Sequence, residues 1–294
     1  MRSLTKILAA AFIAIGAGAS AQAATIVVGG KNFTEQLLLA EMTAQLLKAK
    51  GFDVDKRDGM GSQIVRDAQV NGQVDVYWEY TGTSLVTYNK VTDPMSAEDT
   101  YKKVKELDAA AGLTWLDPSS ANNTYALAVR SSDPRTDSLN TLSDVAKAFN
   151  DGGDLVIALG AEFSKRPDGL PGLETAYGFQ TTRANLSTMD DGLTYQALNE
   201  DQVDLAVVFA TDGRISAFNF RVLQDDKGFF PNYALAPVVR TETLEANPAL
   251  EEPLNALSAQ LTDDVMQRLN AEVDVEKKTI EEVASTFLGE GGLI

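Results

Sequence analysis

The 294-residue sequence contains neither cysteine nor histidine. Without histidine it lacks the commonest general base and metal ligand, and without either residue it lacks Ser-His and Cys-His catalysis. Only carboxylate chemistry remains open to an enzyme built on this chain. Cysteine's absence also rules out disulfides, which a chain of this length does not need, and a lipid-anchoring cysteine. Basic charge is scarce: 25 Lys and Arg stand against 42 Asp and Glu, a net charge of −17. Such a surface repels nucleic acid and anionic lipid, because phosphate contacts need clustered Lys and Arg. No apolar run is long enough for a transmembrane helix. There is no spaced calcium loop, and Gly59-Met60-Gly61 lacks the lysine and context of a phosphate loop. No metal or cofactor is implied.

The N-terminus reads as a removable export signal spanning residues 1–23. Arg2 and Lys6 form a charged start, residues 7–18 are almost wholly apolar, and Ala21-Gln22-Ala23 is a small-x-small cleavage site. Removing the segment leaves 23 basic against 42 acidic residues, a net charge of −19. A soluble, exported, monomeric protein follows, most simply periplasmic.

The rest of the chain carries one pattern twice. A strand, Thr25 to Val28, ends in Gly29-Gly30, and a helix follows from Thr34 with Asn32 or Thr34 as its cap. A short polar strand, a helix from Ser62 and the strand Val74 to Tyr80 complete the first copy. The later segment Leu155 to Gly160 is again a strand ending in glycine, and Phe163-Ser164 stands where Phe33-Thr34 stood. Gln202-Val203-Asp204 then echoes Gln73-Val74-Asp75, at an offset of 129 against 130 for the phenylalanines. Asn123 to Arg130 likewise resembles Asn232 to Arg240. Each of these chance-prone matches is weak alone; three in one order, two of them at the same offset within one residue and the third at 109, point to two similar lobes. Strands alternating with helices imply α/β lobes, each with a mostly parallel sheet flanked by helices. Extended crossover strands would join them, with a ligand cleft at the carboxyl ends.

The repeat gives the aromatics a place. Tyr80 and Phe209 end equivalent strands, and Tyr125 and Tyr233 stand at matching points of the crossovers. Each alone is explained as well by packing, and Tyr77 and Trp78 are read as packing. Four rings converging on one cleft, however, suit a quaternary ammonium, which has no N–H to donate and is held by π faces at about 0.5–2 kcal/mol each.

KNFTEQ (Lys31 to Gln36), EYTGT (Glu79 to Thr83), NNTYALAV (Asn122 to Val129), ATDGR (Ala210 to Arg214) and PNYALAPVVR (Pro231 to Arg240) together resemble the glycine betaine/choline-binding proteins of osmoprotectant ABC transporters. The resemblance covers nearly the whole mature chain. It implies a two-lobe periplasmic-binding-protein fold, type II-like, with lobe I over residues 24–127, lobe II over 128–234, and residues 235–294 returning to lobe I. It implies a cage of Tyr80, Tyr125, Phe209 and Tyr233, with Lys31 and Thr83 as further binding residues and Arg166 holding a ligand carboxylate. Lys31 and Arg166 would form a cationic clamp. The expected partners are a small zwitterionic or cationic ligand and an ABC permease in the inner membrane.

Two departures stand out. Phe209 replaces a tyrosine common in the family, and Asn123 stands where some members have aspartate. An amide gives a bare cation less Coulombic help, so with the clamp the balance leans toward a zwitterion such as glycine betaine over choline. Two other readings stay open: the same fold and role with an amino-acid-like zwitterion, or an exported enzyme using carboxylates such as Glu79 or Asp212.

Overall fold

The computed structural model describes residues 25–294; the signal segment expected over residues 1–23 lies outside the described residues. Ten strands are present: β1 (Ile26–Lys31), β2 (Val54–Met60), β3 (Val76–Tyr80), β4 (Leu113–Trp115), β5 (Tyr125–Arg130), β6 (Ile157–Leu159), β7 (Leu186–Thr188), β8 (Leu205–Phe209), β9 (Phe220–Val222) and β10 (Leu235–Arg240). They form two five-stranded sheets, ordered β2-β1-β3-β10-β4 and β7-β6-β8-β5-β9. The two orders are the same topology used twice. Within each sheet all strands run one way except a single reversed one, β10 in the first and β5 in the second. These reversed strands are the two crossovers. Strand β5 pairs wholly within the second sheet from Tyr125 onward.

The aspartate of each QVD motif does the same work in each lobe. Asp75 Oδ2 accepts from the backbone N–H of Val27 at 2.9 Å, and Asp204 Oδ2 from that of Val156 at 2.8 Å. Each carboxylate thereby ties the start of the third strand in its lobe to the start of the first. The match of Tyr125 with Tyr233 is looser. Tyr125 lies opposite Phe209, whereas Leu235 lies opposite Tyr80. By register Tyr233 is therefore displaced two residues from Tyr125's counterpart, a shift that keeps a strand's side chains on the same face.

Helices flank both sheets. The helix Thr34–Ala49 packs its apolar side into a core with Trp78, Tyr80 and the C-terminal residues Leu257, Met266, Val283 and Phe287. Its N-cap is Phe33, not Asn32 or Thr34, and the Thr34 hydroxyl donates instead to Asp274 at 2.8 Å. The second lobe has its own core around Leu127, Leu142, Ile157, Leu173 and Leu205. Tyr77 and Trp78 are fully buried; the Trp78 indole N–H donates to Thr43 Oγ1 at 2.8 Å and the Tyr77 hydroxyl to Glu79 at 2.7 Å. No helix among the described residues is long and apolar enough to cross a membrane.

Candidate functional site

In each sheet the four parallel strands end, and the one reversed strand begins, along the same edge, and the two edges face each other. Open α/β sheets bind ligands at this edge. A cavity of about 550 Å³ lies there, lined from both lobes. All eight expected positions border it: Lys31, Tyr80, Thr83, Asn123, Tyr125, Arg166, Phe209 and Tyr233.

The rings form a connected wall. Tyr125 stands 5.1 Å from Phe209 and 5.5 Å from Tyr233, the latter pair nearly perpendicular. Tyr80 does not reach Phe209 directly. Phe33 stands between them, stacked on Phe209 at 5.4 Å and 6.3 Å from Tyr80. Its repeat counterpart Phe163 packs on Tyr125 at 5.0 Å. The aromatic wall thus has a fifth ring that the strand-based reading missed, although Phe33 lies within the KNFTEQ motif.

The expected clamp is built differently. Lys31 is buried, and its Nζ lies 2.5 Å from Glu79 Oε1. Burial lowers the Lys31 pKa, while Glu79 opposes that shift. Arg166 donates to both oxygens of Asp168 (2.8 and 2.5 Å) and across the cleft to Thr83 Oγ1 at 3.2 Å. The Tyr233 hydroxyl donates to the same Asp168 at 2.7 Å. Neither cation therefore brings free net charge, because each already has a buried carboxylate partner, Glu79 for Lys31 and Asp168 for Arg166. What remains are directed donors: two further N–H groups on Lys31 and the Nη1 of Arg166, which make no hydrogen bond among the described residues. Both cations also lie over aromatic faces, Lys31 4.9 Å from the Tyr80 ring centre and Arg166 5.4 Å from that of Tyr125.

Asn123 does not face the cavity as a free amide. Its Nδ2 donates to Glu35 Oε1 at 2.7 Å, and its Oδ1 faces the backbone N–H of Thr211 at 3.5 Å. Glu35 also accepts from the Tyr80 hydroxyl at 2.7 Å and from Thr211 Oγ1 of the second lobe at 2.5 Å. Further bonds cross the cleft, from Ser62 N–H to Glu162 at 2.9 Å and from Gln267 to the Ala210 carbonyl at 2.9 Å. The lobes are closed on each other.

Two α/β lobes of one topology, closed over a cavity walled by aromatics, define a solute-binding protein of the two-lobe class. The chain matches, over residues 24–290, the family described as the substrate binding domain of ABC-type glycine betaine transport systems, and it belongs to that family. It is 42% identical over 300 residues to a glycine-betaine-binding protein of Pseudomonas aeruginosa, covering 100% of this chain and 96% of that one. It is 34% identical to the glycine betaine-binding protein YehZ of Escherichia coli over 92% of each chain. A solved structure of a glycine betaine/carnitine/choline ABC transporter component is 29% identical, with a TM-score of 0.72 over 91% of this chain and 99% of that one.

Proposed function

We propose that this protein captures a betaine-type osmoprotectant in the periplasm and delivers it, as a monomer, to an ABC permease of the inner membrane. The observation that carries the reading is the wall of Tyr80, Phe33, Phe209, Tyr125 and Tyr233 around one cavity. Its π faces suit a methylated ammonium, which offers no hydrogen-bond donor. Unused donors on Lys31 and Arg166, with the Thr83 hydroxyl between the lobes, suit a carboxylate at the other end of the same ligand. A zwitterion is therefore favoured over choline, through directed hydrogen bonds and not net positive charge. The names of the P. aeruginosa and E. coli relatives agree with glycine betaine.

Titration calorimetry with glycine betaine, choline, carnitine, proline betaine and ectoine tests this. Glycine betaine or proline betaine should bind below millimolar, and Tyr125→Ala should weaken the binding about tenfold. If no quaternary ammonium binds and Tyr125→Ala alters nothing, the cage reading is wrong.

A further inference from the structure

Of the buried acidic side chains among the described residues, Glu79, Asp108, Asp133, Asp168, Asp204 and Asp212 each lie within ion-pair distance of a lysine or arginine. Glu35 is 3% exposed and has no such partner among them. Its four hydrogen-bond donors are all neutral: the Tyr80 hydroxyl and Asn123 amide on Oε1, the Thr211 hydroxyl and Asn270 amide (3.3 Å) on Oε2. Hydrogen bonding is therefore satisfied while the charge is left without a counter-charge. A buried, uncompensated carboxylate is costly, yet this one borders the ligand cavity.

We propose that Glu35 is the counter-charge of the ligand's ammonium, a specificity-determining residue that makes the cavity choose a cationic head over a neutral one of equal shape. The inference rests on the betaine reading of the site. Glu35 acts in two ways. Its field reaches the cavity through a low-dielectric wall, where a charge is felt more strongly than in water. By accepting the hydrogen bond of the Tyr80 hydroxyl it also polarises the O–H bond of a phenol that burial and the carboxylate's charge keep protonated, which enriches the π face offered to a cation. It thereby supplies the negative charge absent at Asn123. Burial pushes the Glu35 pKa above the ordinary carboxylate value, and the bonds from Thr211, Tyr80, Asn270 and Asn123 offset only part of that shift. An arriving cation relieves that tension.

A structural role is the competing explanation, since Thr211 joins Glu35 from the opposite lobe. The test separates the two by comparing glycine betaine with 3,3-dimethylbutanoate, its analogue with carbon in place of the charged nitrogen. In Glu35→Gln, the preference for glycine betaine should fall about tenfold or more, with the analogue's affinity unchanged or improved. Equal losses for both ligands, or no change, overturn the inference and leave the betaine reading intact. Failure of the wild-type protein to bind glycine betaine overturns both.

Should Glu35→Gln not fold, acid does the same work in the Asp191→Asn variant, which removes the cavity's other raised carboxylate. The groups facing Glu35 are Tyr80, Asn123, Thr211 and Asn270; charged neighbours beyond them are Lys31, paired with Glu79, and Arg214, which holds Asp212 and Asp274. Protonating Glu35 should weaken glycine betaine several-fold as pH is lowered from neutral, with less effect on the analogue once its affinity is referred to its ionised form, because the analogue's own carboxyl titrates in the same range. A betaine preference constant across that range overturns the inference.

Discussion

Gly213, in the ATDGR turn of the second lobe, sits so near Ala271 of the first that an added Cβ would lie 2.5 Å from the Ala271 Cβ and 2.6 Å from the Gln267 carbonyl oxygen. Its φ is −66°, which any residue adopts, so this glycine serves close approach and not backbone conformation. The contact joins two lobes, so the crowding can be relieved by parting them.

Gly213→Ala should fold with near wild-type thermal stability yet bind ligand about tenfold more weakly, because closure becomes strained. Small-angle scattering should show a more open shape with ligand present. Wild-type affinity and shape in this variant would mean that the turn yields without moving the lobe.

Phe33→Ala should weaken binding by about 1–2 kcal/mol, comparable to loss of a cage tyrosine. Its ring bridges Tyr80 and Phe209 at the cavity wall. Tyr101→Ala, which removes an aromatic remote from the cavity and hydrogen-bonded to the Leu116 carbonyl, should leave affinity unchanged. Calorimetry on the two variants decides whether Phe33 belongs to the cage or only to the core.

Asp108 is the hub of a buried network unrelated to the cavity. It accepts from Arg66 at 3.0 and 2.6 Å, from Ser84 and Trp115 at 2.8 Å, and from Asn89 at 2.9 Å. Burial opposes its charge, but Arg66, Asn89 and Trp115 win and hold its pKa below the ordinary carboxylate value. A depressed folded pKa contributes stability above the unfolded pKa, and that stability is lost as pH falls through the folded value. Asp108→Asn should therefore cost about 3–5 kcal/mol at neutral pH and flatten part of the acid limb of a melting profile. Ligand affinity should hold.

Asp191 has the opposite sign. Burial first, then Glu162 and Asp190, raise its pKa to about 6. A raised carboxylate pKa means that the folded state binds the proton more tightly, so stability falls as pH rises toward and through about 6. Asp191→Asn should raise the melting temperature at neutral pH by about 2–4 °C. The gain should vanish in acid below about pH 4, where Asp191 is protonated in both states.

The duplicated topology was legible because its markers are local. Asp75 and Asp204 recur at one offset since each must reach the backbone of the first strand in its own lobe. The cavity positions were legible for the same reason, as strand ends follow from the pattern. The third match was less faithful, because YALA recurs two residues out of register and only the ladder reveals it. Phe33 and Glu35 stayed hidden because their placement depends on how the first helix aims its N-terminus into the cleft. The pairing of Lys31 with Glu79 and of Arg166 with Asp168 was hidden as well. A sequence shows that an acid stands nearby, but not which cation it turns toward.

Strand β10 brings the chain back into the first sheet, between β3 and β4. The core of that lobe is completed by Leu257, Met266, Val283 and Phe287. The second sheet, by contrast, is made from one continuous stretch, Tyr125 to Val222. A chain emerging from its N-terminus thus carries its first lobe unfinished, with the middle strand edge unpaired and Trp78 uncovered, until the last helices arrive. The second lobe is the part able to form early, and the end of the chain is what seals the beginning.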